Sequence, residues 1–334
     1  MSADRQLLLR LMQGPVSGDT LASESGLTRA AVWKRIEALR AQGVAIAARR
    51  GLGYALSAPL DLLDADAIHV VLPAALRDAV TVNVAWSLDS TNAELLRRAP
   101  PAGGVAVLAA EHQGAGRGRR GRAWVSPLAA NLTLSLSRMF DGGLARLGGL
   151  SLVAGVAVVE SLHALGAGVV RLKWPNDVVV VDDAGGAAVL RKLGGLLVEG
   201  CGEHAGPVHA VVGLGLNLRM PERAAVHVDQ PWTDLSRLLP GMPARSAIAA
   251  ALVARLVPAL ALFDREGLAP FLPQLSACDA LAGRMVDVHH GGTIHRGQSL
   301  GLADDGALRV ALAAGERHFH SGEVSVRAAG AAAP

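Results

Sequence analysis

Eleven residues, Gly114 to Trp124, hold four arginines (Arg117, Arg119, Arg120 and Arg122) interleaved with four glycines (Gly114, Gly116, Gly118 and Gly121). Glycine admits positive φ and lets a backbone approach a ligand closely, so successive N–H groups can wrap an anion. Guanidinium forks pair with carboxylates and phosphates. The segment reads as a mobile anion-binding loop that orders around a charged ligand. Two plainer readings stand beside it, a solvated basic turn and an RNA-binding glycine–arginine tract. The flanks argue against a disordered tract. Gly104–Ala110 is a short apolar run of strand character, and Asn131–Ser137 alternates with the period of a half-buried strand. No Gly-Lys-Ser/Thr closes the loop and no helical pattern starts at its end, which disfavours a P-loop ATPase or kinase.

Lysine usage is the second signal. The chain has three lysines, Lys34, Lys173 and Lys192, against 29 arginines. Arginine serves wherever a generic surface cation is needed, so the lysines are candidates for tasks that want a compact, flexible charge. Two of them fall in short motifs, Lys173-Trp174-Pro175-Asn176-Asp177 and Arg191-Lys192-Leu193-Gly194-Gly195-Leu196-Leu197-Val198-Glu199. With Asp89-Ser90-Thr91-Asn92, Ala110-Glu111-His112-Gln113 leading into the arginine loop, and Gly213-Leu214-Gly215-Leu216-Asn217, these motifs resemble the ordered signature of the biotin–protein ligases. The likeness runs from about residue 15 to residue 327. The amino-terminal extension is similar to that of the bifunctional subgroup, in which the ligase is also a biotin-operon repressor.

The resemblance implies two steps. Biotin's carboxylate attacks the α-phosphate of ATP, giving biotinyl-5′-adenylate and pyrophosphate. A lysine of a biotin carboxyl carrier protein of acetyl-CoA carboxylase then attacks the mixed anhydride, giving an amide and AMP. Bringing two anions together needs concentrated positive charge in a water-poor site. Mg2+ should accompany the nucleotide, held by phosphates and waters, since the sequence shows no metal-ligand cluster.

Lys192 is the first choice for the central cation. Its predicted strand puts Gly194 on the same face and Leu193 on the other; the plain alternative is an edge-strand solubilising lysine. By resemblance Lys192 lies against biotin's carboxylate and the α-phosphate, Arg119 near the carboxylate or adenylate phosphate, and Arg120, Arg122 and Trp124 nearer the nucleotide. Ser90, Thr91, Asn92 and Gln113 would hydrogen-bond the ureido group, with Gly116, Arg117 and Gly118 completing the biotin side. Ser90 or Thr91 ahead of Glu94 is equally a helix-capping pattern. The apolar part of biotin would lie on Gly194–Val198 and Gly213–Leu216. Asp177 is the candidate acid/base or amine-orienting group, although a Pro-Asn-Asp turn is also a common structural feature. Lys173 and Asn176 should support the nucleotide or acceptor side. Asn217 and Trp232 are candidates for phosphate and adenine contacts, with Trp232 equally readable as core. Two departures from the family pattern are Ala123, where lysine is frequent, and an apparent insertion at Asp182–Val189.

Three units must position these residues. Residues 1–60 read as a winged helix-turn-helix: helical Asp4–Met12, a short helix after Ser17, and a helix capped by Thr28 that runs to about Leu39. Arg29, Trp33, Lys34 and Arg35 on that helix are candidate groove readers, with Ala30, Val32, Ile36 and Leu39 left for packing. Arg49 and Arg50 in a glycine hairpin suit phosphate contact. A protein-interaction module or a relic is the alternative. Pro59, Asp61, Asp64 and Asp66 mark a linker. Residues 61–279 alternate helical and strand patterns, an α/β (α+β) domain that the resemblance makes class II synthetase-like. Residues 280–334 read as a small SH3-like β-barrel of four short strands with a disordered tail.

Composition bounds the rest. Charged residues are 18% of the chain and net charge is +3, so general disorder is excluded. No run of eighteen uncharged apolar residues suggests a membrane span, no signal-peptide pattern opens the chain, and Cys201 and Cys278 make no disulfide framework. A cytoplasmic enzyme is expected, with operator DNA as a second partner and a ligand-promoted homodimer. The competing functions are a lipoate–protein ligase and a ligand-sensing DNA-binding regulator without ligase activity.

Overall fold

The computed structural model describes residues 3–183, 188–202, 206–226, 228–322 and 324–328. Helix α1 (Ala3–Met12) buries Leu7, Leu8 and Leu11. Helix α2 (Gly18–Ser25) starts where the Ser17 hydroxyl accepts from Thr20 N and stops at left-handed Gly26. Helix α3 (Arg29–Ala41) is capped by Thr28 and buries Val32, Ile36 and Leu39. Ala30, expected among the packing residues, is exposed because it lies off that stripe. Strands β1 (Ile46–Arg49) and β2 (Gly53–Leu56) form the antiparallel wing.

The acidic stretch after Pro59 is stitched down along its length. Asp64 caps α4 (Ala65–Val71), Leu63 enters the main core, and the Asp61 carboxylate accepts from Arg245 N. After α5 (Ala74–Arg77) come β3 (Val80–Ala85), α6 (Thr91–Arg97), β4 (Val105–Ala110), β5 (Leu132–Phe140), α7 (Leu150–Ala164), β6 (Val170–Lys173), β7 (Asp177–Asp182), β8 (Val189–Gly202) and β9 (Val208–Leu216). They build a seven-stranded sheet in the order β3-β4-β5-β9-β8-β7-β6. Within it β3 and β4 run parallel, and every other neighbouring pair is antiparallel. Helices α8 (Glu222–Ala225), α9 (Arg245–Glu266) and α10 (Leu272–Cys278) follow. Leu144–Ala164 and Arg245–Glu266 are long and apolar enough to cross a membrane, yet both are mostly buried, and α7 and α9 pack on each other in the core.

Strands β10 (Met285–His290), β11 (Thr293–Leu302), β12 (Leu308–Leu312), β13 (Gly315–Phe319) and β14 (Ser325–Ala328) form a five-stranded antiparallel unit. The sequence suggested four strands. The extra one, β13, exposes Glu316, Arg317 and His318 in a row and so lacks apolar alternation. This unit is not separate in packing, because Val286, Val288, Val310 and Phe319 belong to the same apolar core as the large sheet. The winged helix is joined as closely: its core takes in Leu128 and Ala129, just beyond the arginine loop, and Leu128 N donates to Gln42 O at 2.8 Å. Residues 184–187 of the Asp182–Val189 insertion and the tail past Ala328 lie outside the described residues.

Candidate active site

A cavity of about 870 Å³ lies among the large sheet, the arginine loop and β14. Its floor comes from β7 and β8. A bulge opposite Val178/Val179 inserts Leu193 as an extra residue in β8. This breaks the strict alternation expected there, buries Leu193 and brings Gly195, rather than Gly194, beside Lys192. A Cβ at Gly194 would meet the Gly215 carbonyl instead. Lys192 Nζ lies 2.7 Å from Asp177 Oδ1, and Lys173 Nζ is 3.9 Å from the other oxygen.

The electrostatics follow from that crowding. Burial pushes the Asp177 carboxyl up, but Lys192, Lys173 and Arg119 outweigh it and hold the group below the usual carboxylate range. Burial lowers the Lys173 ammonium, Asp177 opposes that, and Lys192, Arg122 and Arg327 add to it. Burial also lowers the Arg119 guanidinium, against the pull of Asp177.

The arginine loop folds back as a narrow hairpin. Gly118 N donates to Arg122 O at 2.8 Å and Trp124 N to Gly116 O at 2.9 Å, with Arg120 left-handed at the tip. Arg119 reaches Asn176 Oδ1 at 3.3 Å and the carbonyls of Ser321 and Gly322. Arg117, Arg120 and Arg122 line the cavity, and their side chains make no hydrogen bond or ion pair among the described residues. The Trp124 indole lies against Gly215, where a Cβ would overlap it, and its buried Nε1 has no partner among the described residues.

At the polar end, Ser90 caps α6 by accepting from Ala93 N, so its capping and lining readings coexist. Gln113 Oε1 accepts from Thr91 N at 2.7 Å and from Thr91 Oγ1 at 3.1 Å. Asn92 is held by Ser135 Oγ, which donates to its Oδ1 at 2.7 Å, and donates in turn to Glu199 Oε2 at 2.8 Å. A side chain at Gly213 would overlap the Asn92 carboxamide.

Gly118 and Asn176 also line the cavity, whereas three expected contacts do not. Gly116 sits at the hairpin base against Gln113 and Trp124. Asn217 is buried beneath the strands, its carboxamide engaged by Asn131 and Thr233. Trp232 bridges Lys192 through its backbone, while its ring lines a neighbouring shallow pocket under the Arg237 guanidinium, 4.5 Å away. Sequence reasoning missed Ser135 and Glu199, which act on Asn92 from distant strands. It also missed Ser325 and Arg327, which β14 adds to the lining. Trp174 was read only as motif; its indole donates to Gly306 O at 3.0 Å and ties the Lys173 turn to the C-terminal unit.

On the winged helix, Trp33, Lys34, Arg49 and Arg50 are exposed. Thr28 is committed to its cap, Arg29 pairs with Asp19 at 3.2 Å, and Arg35 is tied to Asp4 of α1 at 2.6 Å.

Residues 84–217 match the Biotin/lipoate A/B protein ligase family, residues 4–55 an HTH domain and residues 282–327 the Biotin protein ligase C terminal domain. The chain is 39% identical to the bifunctional ligase/repressor BirA of Salmonella typhimurium, over 94% of this chain and 93% of that protein. It is 34% identical to the biotin–[acetyl-CoA-carboxylase] ligase of Paracoccus denitrificans, over 71% of this chain and 96% of that protein. A solved structure of the Aquifex aeolicus biotin protein ligase with biotin and ATP superposes with a TM-score of 0.61 at 25% identity, covering 74% of this chain and 99% of that one. The chain belongs to the biotin protein ligase family, in its bifunctional ligase/repressor form.

Proposed function

We propose that this chain forms biotinyl-5′-adenylate from biotin and ATP and passes biotin to a lysine of a carboxyl carrier protein of acetyl-CoA carboxylase. The observation that carries the reading is one cavity that joins a polar end, Thr91-Asn92-Gln113, to the cations Lys192, Lys173 and the loop arginines. The ureido ring goes to the polar end and the carboxylate toward Lys192. Attack on the α-phosphate expels pyrophosphate. Lys192 steadies the charge that gathers between carboxylate and phosphate, Arg119 clamps the adenylate once it has formed, and Arg120, Arg122, Lys173 and Asn176 hold the nucleotide. The acceptor amine then attacks the anhydride carbonyl, AMP leaves, and Asp177 orients the incoming amine. Trp124 covers the adenylate. Magnesium would come with the nucleotide and offset the charge of the triphosphate. The carboxylates lining the cavity are Asp177, paired with Lys192, and exposed Asp229, which suits a metal brought by the nucleotide rather than one caged by protein.

The three working units are residues 1–60, 61–279 and 280–334. The first binds operator DNA through Trp33, Lys34, Arg49 and Arg50, with Thr28, Arg29 and Arg35 holding the helix in place. A single winged helix touches few base pairs, so a ligand-promoted homodimer reads two half-sites. Beyond Leu197, β8 outruns its partner β7, and no strand among the described residues pairs with that edge, which leaves it to a second copy. Two free thiols fit a cytoplasmic setting. The test is mass spectrometry of a carrier domain after incubation with the chain, ATP and biotin. One added biotinyl group on one lysine is expected; an unmodified carrier domain contradicts the reading.

A further inference from the structure

Glu111 and Arg245 form an ion pair at 2.6 Å with side chains 3% and 5% exposed, the most enclosed pair among the described residues. Neither lines the cavity. Their place in the chain is what matters. Glu111 is where the chain leaves β4 for the arginine loop. Asn131, where it returns to β5, gives its carbonyl to Arg245 Nη2 at 2.6 Å. Between them Ala129, left-handed at φ 56°, donates its N–H to the Glu111 carbonyl at 3.1 Å. The segment from the winged helix crosses the same point: Asp61 O accepts from Arg245 Nη1 at 2.7 Å, and Leu63 N donates to Glu111 Oε1. Asn131 extends the network inward, donating to Asn217 Oδ1 at 3.3 Å, and Asn217 N donates to the carbonyl of Leu193, next to Lys192.

Burying two charges is expensive, and an apolar pair of equal volume is often as stable. Stability alone therefore does not account for this pair. It supplies what an apolar pair cannot, directed hydrogen bonds from one point to both roots of the loop and to the linker. We propose that Glu111 and Arg245 are positioning residues for the arginine loop, setting its closure over the cavity without touching substrate. Its kinetic consequences rest on the ligase reading; its structural ones do not.

The test compares the full-length chain with Glu111→Gln, which keeps the shape and the acceptor for Leu63 N but removes the charge. Trypsin cleavage after Arg117, Arg119, Arg120 and Arg122, located by mass spectrometry, reports on the loop without any need for activity. It is expected to be about tenfold faster in the variant, with cleavage at the Arg49-Arg50 wing unchanged. With biotin and ATP, the variant should release adenylate about tenfold faster and show a raised KM for biotin, with kcat within about twofold of wild type. Should the single variant fail to fold, Glu111→Gln with Arg245→Met removes the pair without stranding a charge and carries the same readouts. Wild-type loop cleavage and adenylate release in a folded variant overturn the proposal. If the wild type forms no adenylate, the ligase reading fails and loop cleavage alone decides this one.

Discussion

On the floor of the cavity, Lys192 stands 2.7 Å from Asp177 on strands bonded to their neighbours on both sides. Across from it, Arg117, Arg120 and Arg122 stand on a hairpin with side chains that have no hydrogen-bonded or ionic partner among the described residues. Arg119 stands on the same hairpin and latches it to backbone carbonyls of the C-terminal unit. The floor charge is thus placed and compensated before any ligand arrives. The lid charge takes its main partners from the ligand. A preset cation beside the reacting atoms acts on the transition state, whereas a lid that gains its contacts on closing acts on retention. Substitutions on floor and lid separate those two roles.

The largest effect should come from the floor. Lys192→Ala is expected to lower biotin-dependent ATP–pyrophosphate exchange by about a thousandfold or more, with the fold retained. Lys192→Arg should recover little, because a planar fork cannot place one compact charge between carboxylate and phosphate. Near-normal exchange in Lys192→Ala would erase the distinction between floor and lid.

Asp177→Asn comes next, with about a hundredfold loss in transfer from preformed adenylate. It also has a pH signature. Burial lowers the Lys173 ammonium and Asp177 counteracts this, so removing the carboxylate leaves Lys173 among cations only. Lys173 then gives up its proton at lower pH, and the alkaline limb of the transfer rate should move down the pH scale. An alkaline limb that stays in place would contradict the coupling.

How much of this was legible beforehand differs between the same two regions. The lid was readable because its chemistry is local: arginines and glycines within eleven residues, framed by two strands. The floor was readable in its lysine but not in its geometry. A bulge that exchanges Gly195 for Gly194 depends on pairing with β7, which no local pattern encodes. Asn217 closes a motif and Trp232 belongs to none; the first packs beneath the sheet and the second lines an adjacent pocket, placements that only the tertiary fold sets. Ser135 gave no local signal, and Glu199, although it closes the Lys192 motif, gave no sign of its partner, since Asn92 lies on α6. Three units were visible from composition and turns. Their shared packing was not, because Leu128 and Ala129 look like any apolar pair until Gln42 is found against them.

For the lid, Arg119→Gly should leave exchange within a few fold of wild type while raising adenylate release about tenfold, read as biotinylation of bystander lysines. A variant that stays confined to its carrier lysine would deny the lid its retaining role.

The smallest effect on ligation belongs to the winged helix. It is read in a chain that lacks residues 1–58. Removing them uncovers Leu128 and Ala129 at the root of the loop, so KM for biotin should rise by about two- to fivefold while kcat holds. Binding to DNA upstream of the biotin genes, measured at fixed salt because phosphate contacts dominate affinity, should vanish altogether. An unchanged KM would show that the shared packing does not reach the lid.

The division between floor and lid is tested most directly in one rapid-quench experiment on wild type, Lys192→Ala and Arg119→Gly, following adenylate bound to protein and adenylate free in solution after mixing with biotin and ATP. Lys192→Ala should give no adenylate in either pool, and Arg119→Gly should form it at close to the wild-type rate and then lose it to solution. Equal slowing of formation in both variants, with no escape from either, would contradict that division.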